Sequence, residues 1–212
     1  YSFSDDSMEY VWNIADSLGV EDIYLGNLYI GGCTLDTHAF NARGNYTAYD
    51  YRVNTEGTWE TERARMGDAL AAQEWDFVSL QQASGSSGMP DTYGELDYLL
   101  GYIAEKAPSA KIVWNMTWAY QQNSNHWDFP KYQNDQKTMY NKIVQTVQDL
   151  IVPNEKISAI IPNGTAIQNA RTSYVGDTLT RDGYHLTLDF GRYIAGLTLV
   201  RALTGLSVAE CG

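Results

Sequence analysis

A chain of 212 residues, 44% hydrophobic and 19% charged, has the size and composition of one globular domain with a sizeable core. Fourteen basic side chains against 26 acidic ones leave a formal charge of −12, which disfavours phosphate backbones and anionic membranes as partners. No apolar run approaches the roughly 20 residues that span a bilayer, so neither a nucleic-acid partner nor membrane insertion is expected.

In chain order, Val11, Ile14, Ala15 and Leu18 share one face of a helix expected over 6–18, with Asp6 and Glu9 as a capping pattern and Gly19 as its stop. Ile23–Ile30 reads as a strand ending at Gly31-Gly32. A polar, turn-rich segment follows, with a short alternating strand over Tyr46–Val53. Thr58–Gln73 reads as a helix opened by Thr58, and Trp75–Gln81 as a buried strand entering the loop 82–88. A helix is expected over about 91–106, then a strand over Lys111–Trp118, a polar loop over Ala119–Lys131 and a helix over about 133–151. Ile157–Ile161 is the last expected strand, before Pro162. A final helix over about 187–204 shows Phe190, Ile194 and Leu197 at helical spacing.

Apolar strands alternating with helices predict an α/β fold, a doubly wound parallel sheet with helices on both faces. No repeat, low-complexity tract or linker divides residues 1–212, so one domain is expected. Such sheets usually build a central strand before their first helix, and it would lie immediately before Ser2: either that strand is left out of this sequence or the first element is reduced to a stub. Ligands of open α/β sheets lie beyond the carboxyl ends of the strands. Four stretches reach that edge in this reading: Ser2–Asp6, Gly31–Cys33, Gln81–Ser84 and Asp182–His185.

In Asp182-Gly183-Tyr184-His185 an acid precedes a histidine by three residues, so one turn can bring both side chains to one site. The carboxylate can orient the imidazole and leave its other nitrogen free as a base. A serine at a helix N-terminus, here Ser2, sits beside free backbone N–H groups that can stabilise an oxyanion. Gly32 can offer its N–H with no side chain in the way, and Gln82 or Gln81 can add an amide donor. Ser84 lies in a loop lacking the G-x-S-x-G spacing of a nucleophile elbow, and reads as part of a substrate-side loop. Trp118, Tyr120, His126 and Trp127 either line a cleft or pack within their own loop. Plainer readings stand beside these: Ser4 or Asp6 as a helix cap, Gly31-Gly32 as a turn, Asn163 and Asn169 as loop ties. Cys33 and Cys211 form either one disulfide or two free thiols. His38, His126 and His185 are scattered, so no metal is expected.

These blocks, in this order, resemble the SGNH (GDSL) hydrolase superfamily. Ser2-Phe3-Ser4 resembles its nucleophile block, Ile30-Gly31-Gly32-Cys33-Thr34 its oxyanion-glycine block and Asp182-Gly183-Tyr184-His185 its final block. NLYIGGCTL, VSLQQASGSSG and DTLTRDGYHL are similar to a bacterial branch of that superfamily. Two positions depart from it. Tyr1 stands where the family has Asp or Asn, and Gln81-Gln82-Ala83 stands where it has a Gly-x-Asn-Asp turn. The resemblance implies a flavodoxin-like three-layer α/β/α sandwich and a serine esterase. Ser2, His185 and Asp182 are then the catalytic set, and Gly32 with Gln82, or Gln81, forms the oxyanion hole. Ser84, Trp118 and Tyr120 are expected to touch substrate. The implied substrates are small acyl esters, foremost O-acetyl groups on carbohydrate, with no cofactor and a periplasmic or secreted location. The alternatives are a lipase- or lysophospholipase-like esterase and a non-catalytic glycan-binding module.

Overall fold

In the computed structural model, which describes residues 1–209 and 211, six strands form two three-stranded sheets, one antiparallel and one parallel. The antiparallel sheet contains β1 (Leu25–Tyr29), β2 (Tyr49–Asn54) and β3 (Trp59–Ala64), in that order. The parallel sheet contains β4 (Phe77–Leu80), β5 (Lys111–Asn115) and β6 (Ala159–Ile161), with β5 central. The expected parallel α/β architecture therefore holds for β4–β6 and not for β1–β3.

The helix expected over 58–73 is replaced by β3 and a short helix, α4 (Met66–Ala71). The cause lies in the preceding turn. Gly57 adopts φ +85° and donates its N–H to Asn54 Oδ1 at 2.8 Å, so the chain reverses and Trp59 pairs with Asn54. A connection this short joins only antiparallel strands. Cross-strand contacts then fix the register: Arg63 pairs with Asp50 at 2.7 Å, and the Arg52 guanidinium lies 5.0 Å from the Trp59 ring centre.

The helix expected over 6–18 is two helices, α1 (Ser2–Met8) and α2 (Val11–Ser17). Tyr10 leaves the helical path between them, and its hydroxyl donates to Leu188 O at 2.6 Å. Two helices replace expected loops. Thr34 caps α3 (Leu35–Gly44) by accepting the Thr37 N–H at 3.2 Å, and α7 (Asn163–Arg171) begins directly after Pro162. The rest follow the expected order: α5 (Leu96–Lys106), α6 (Gln136–Thr146) running into a π turn at Val147–Ile151, and α8 (Phe190–Thr204).

Successive residues of β5 point to different cores. Ile112 and Trp114 pack with Leu96, Leu99 and Ile103 of α5, whereas Val113 packs with Val11 and Ile14 of α2 and Leu199 of α8. Helices thus cover both faces of the parallel sheet, which is why its strands read as apolar runs. Cys33 is buried and Cys211 partly so, and both are free thiols. No helix of the described residues is long and apolar enough to cross a membrane.

Candidate active site

The Asp182–His185 turn is held by its own backbone. Asp182 Oδ1 accepts the N–H groups of Tyr184 (3.2 Å) and His185 (2.7 Å), while Oδ2 faces His185 Nδ1 at 2.6 Å. An acceptor-only carboxylate on Nδ1 selects the tautomer with its proton there, leaving the Nε2 lone pair available. Burial alone would raise the Asp182 pKa. The hydrogen bonds from the imidazole and the two backbone N–H groups outweigh it and hold the carboxyl below its ordinary value. Gly183 makes the turn possible, since it sits at φ +92° with Ser124 atoms 3.0–3.2 Å from where a Cβ would lie.

One buried carboxylate fastens this turn to α1. Asp6 is fully buried, and its Oδ1 accepts from Arg181 Nη1 (3.0 Å) and Arg192 Nε (2.9 Å). Its Oδ2 accepts the Leu186 N–H at 2.8 Å. The partners flank the Asp182–His185 turn on both sides. Asp6 therefore ties the helix that begins at Ser2 to the loop that carries the histidine. In the sequence Asp6 reads only as a capping residue, because its partners lie 175 or more positions away.

Ser2 is the first residue of α1 and is half-buried. The first bond across the opening turn runs from Asp5 N to Tyr1 O (3.1 Å), so the N–H groups of Ser2, Phe3 and Ser4 have no helical acceptor. The next residue, Phe3, meets the His185 ring at 64° with centroids 6.0 Å apart. Phe3 in turn stacks on Trp118 at 4.1 Å, and Trp118 Nε1 donates to Tyr184 O at 2.8 Å. The first and last predicted blocks are thus brought together. Gly32 lies between β1 and α3, exposed, at φ +64°, with open space where a Cβ would be. That backbone conformation favours glycine and leaves the peptide uncovered.

Other expectations need correction. Gln82 is not a free donor. Both its amide hydrogens are committed to Thr92, at 2.8 Å to the carbonyl and 3.1 Å to the hydroxyl, and its oxygen accepts from Leu35 and Ala83. Gln81 is buried, its oxygen accepts from Asn115 Nδ2 at 3.0 Å, and its Nε2 has no partner. Ser84, Trp118 and Tyr120 do not form a substrate-facing surface, being 2%, 0% and 0% exposed. Ser84 Oγ is caught between the hydroxyls of Tyr1 (2.5 Å) and Tyr120 (2.9 Å), and burial pushes the Tyr1 phenol up to about 12. These side chains form a wall behind the site. Asn163 acts as a tie, fully buried and donating to Asn115 Oδ1 at 2.9 Å.

The exposed aromatic face lies elsewhere. Trp127, 79% exposed, stacks on His126 with centroids 4.1 Å apart. His126 meets Tyr184 edge-on at 4.6 Å, and Tyr184 adjoins His185 at 4.3 Å. This row of rings runs from solvent to the imidazole. Burial lowers the His126 pKa, against the opposing pull of Asp128.

Fold and site together define a mixed α/β protein with a carboxylate-braced histidine beside the helix that opens at Ser2. The chain belongs to the family described as domain of unknown function DUF4886, which matches residues 1–211. It is similar to the crystal structure of a DUF4886 family protein from Bacteroides uniformis ATCC 8492, at 42% identity and a TM-score of 0.95. That match covers 100% of this chain and 83% of the other. A candidate SGNH hydrolase from Slackia heliotrinireducens matches at 22% identity and a TM-score of 0.45, covering 64% of this chain and 70% of its own. A candidate GDSL-like lipase from Parabacteroides merdae ATCC 43184 matches at 17% identity and a TM-score of 0.47, covering 66% of this chain and 64% of its own. No curated protein matches the chain.

Proposed function

We propose that this chain is a serine esterase of the SGNH type, acting on small acyl esters and foremost on O-acetyl groups of carbohydrates. The observation that carries the reading is the braced imidazole, its Nδ1 on Asp182 at 2.6 Å, beside the first turn of α1. In this reading β4–β6 and their helices belong to a three-layer sandwich.

Ser2 Oγ attacks the ester carbonyl as His185 Nε2 takes its proton. The tetrahedral intermediate collapses, and the leaving alcohol receives that proton from the imidazolium. A water deprotonated by the same nitrogen then attacks the acyl-serine, releases the acid and restores Ser2. Asp182 keeps the imidazole in the productive tautomer and stabilises its charged form. The backbone N–H groups of Ser2 and Gly32 receive the oxyanion. With Gln82 committed to Thr92, the hole rests on backbone donors, each worth ~10²–10³ in turnover.

Two features favour a neutral saccharide ester. The ring of Trp127 offers a flat apolar face to the C–H face of a sugar, and a formal charge of −12 repels anionic substrates. The deciding experiment is p-nitrophenyl acetate hydrolysis by the wild type and Ser2→Ala, with the fold followed by circular dichroism. Activity lost in a folded variant supports the reading. Equal rates, or none in either protein, remove Ser2 as nucleophile and favour a glycan-binding module.

A further inference from the structure

The loop that carries His185 is closed on itself, and Asp6 is one of its supports. Thr180 and Leu186 pair across it in an antiparallel bridge, with Arg181 N–H donating to His185 O and Thr187 N–H to Leu179 O, both at 2.9 Å. A second set of contacts comes from the segment after β5. Trp118 Nε1 donates to Tyr184 O at 2.8 Å, the Gln121 N–H donates to Gly183 O at 2.8 Å, and Gln121 Oε1 accepts the Thr180 hydroxyl. Ser124, which packs over Gly183, accepts the His126 N–H on its hydroxyl at 3.3 Å. One segment thus grips the histidine loop and leads directly into the stacked rings of His126 and Trp127.

What holds this segment is a buried cation. Arg171, at the end of α7, has a side chain 3% exposed, and each of its three nitrogens is engaged. Nη2 donates to Ala119 O at 3.0 Å and Nη1 to Gln168 Oε1 at 3.2 Å. Nε lies 2.9 Å from Asp177 Oδ1, close enough for an ion pair but poorly aligned for a hydrogen bond. Asp177 Oδ2 accepts the Gln122 N–H at 2.8 Å. The Gln122 side chain is fixed as well, accepting the Gln136 N–H and donating to Asn134 O, each at 2.9 Å. That anchor is a strained turn, with Gln133 and Asn134 at φ +60° and +52°. Packed apolar residues of the same volume would serve stability as well as a buried ion pair does. What they could not supply is direction: a bond to Ala119 and, through Asp177, one to Gln122.

We infer that Arg171 and Asp177 form a positioning clamp that acts through residues 119–124. It sets where the His185 imidazole stands relative to Ser2, and where the Trp127 ring stands relative to that imidazole. Asp6 holds the histidine loop to α1, whereas Arg171 holds it to the segment that ends in the exposed ring. One clamp therefore ties the base to the binding face. Its effect on rate rests on the esterase reading; its effect on the two rings does not.

The test is Arg171→Met beside the double variant Arg171→Met/Asp177→Asn, which keeps an oxygen for the Gln122 N–H and leaves no unpaired charge. Each is followed by a thermal melt, by p-nitrophenyl acetate kinetics and by two proton resonances. These are the Nδ1–H of His185, held by Asp182 at 2.6 Å, and the indole N–H of Trp127, assigned by their loss in His185→Gln and Trp127→Phe. Arg171→Met is expected to lower kcat about 10- to 100-fold with KM within twofold, to broaden the His185 resonance and to shift that of Trp127. The double variant is expected to recover Tm but neither kcat nor the resonances. Wild-type kcat in folded Arg171→Met, recovery of kcat together with Tm, or both resonances unmoved overturns the clamp. If Arg171→Met does not fold, the double variant decides by the same readouts. A wild type that neither hydrolyses the ester nor takes up a fluorophosphonate removes the esterase reading instead, and the two resonances then decide the clamp.

Discussion

Asp6→Asn is the substitution that best separates positioning from chemistry. The Asp6 carboxylate hydrogen-bonds neither Ser2 nor His185, yet it accepts three bonds, from Arg181, Arg192 and the Leu186 backbone. Removing one partner of a fully buried ion pair costs about 3–5 kcal/mol. Here the arginine side chains are 35% and 18% exposed and can recover part of that from water, so about 2–4 kcal/mol is expected. For a chain of this size that lowers Tm by roughly 5–15 °C. The Asn amide also turns an N–H toward a donor, which frees the segment around His185 from α1. Displacement by ~1 Å lowers turnover about 100-fold. The assay is kcat and KM for p-nitrophenyl acetate at a temperature where the variant stays folded, with a thermal melt alongside. A fall in kcat with KM nearly unchanged is predicted. A lowered Tm with wild-type kcat would refute the positioning role, and wild-type values of both would refute the whole account of Asp6.

Asp182→Asn keeps the shape of the turn but removes the acceptor that fixes the Nδ1–H tautomer. A loss of about 10²–10⁴ in kcat is expected, and a variant within threefold of wild type contradicts the assignment. His38 gives a pH prediction. Burial against Tyr49 pushes its pKa from 6.5 down to about 3, so the unfolded chain binds the proton more readily. Its contribution to stability is complete above pH 6.5 and is lost as pH falls toward 3, by at most about 1.4 kcal/mol per pH unit. Urea midpoints measured from pH 7 to 4.5 should decline in the wild type and flatten in His38→Gln, and equal slopes would show that His38 is not buried neutral. Trp127→Ala should raise KM for an acetylated oligosaccharide several-fold and leave p-nitrophenyl acetate kinetics unchanged. Equal KM values on the oligosaccharide would remove Trp127 from the binding face.

Much of this protein is legible in its sequence where local pattern and burial agree. β4, β5 and β6 announce themselves because both faces of their sheet are covered, and α8 because Phe190, Ile194 and Leu197 recur at helical spacing. β3 resembles a helix because Thr58, Thr61 and Glu62 imitate a first turn. Its strand state is decided by the Asn54–Gly57 reversal and by pairing with β2. α3 and α7 hide in polar composition, their apolar residues being few. The site divides in the same way. Asp182 and His185 are local, three residues apart, and so can be read directly. Asp6 and its arginines meet only through the fold. Gln82 and Gln81 are indistinguishable as letters, and only the structure shows that the amide of the first is tied to Thr92 while the second holds Asn115 through its oxygen and has an Nε2 without an acceptor. Trp118 and Tyr120 suggest a ligand face by type, but interior partners satisfy their polar tips, so they pack as core.

The central claim is that Ser2 is a nucleophile activated by His185. Labelling the folded protein with a fluorophosphonate and locating the adduct by mass spectrometry tests it most directly. The account predicts one phosphonylated residue, Ser2, with labelling abolished in Ser2→Ala and strongly slowed in His185→Ala. An adduct on another serine, or none on a folded protein, would contradict it.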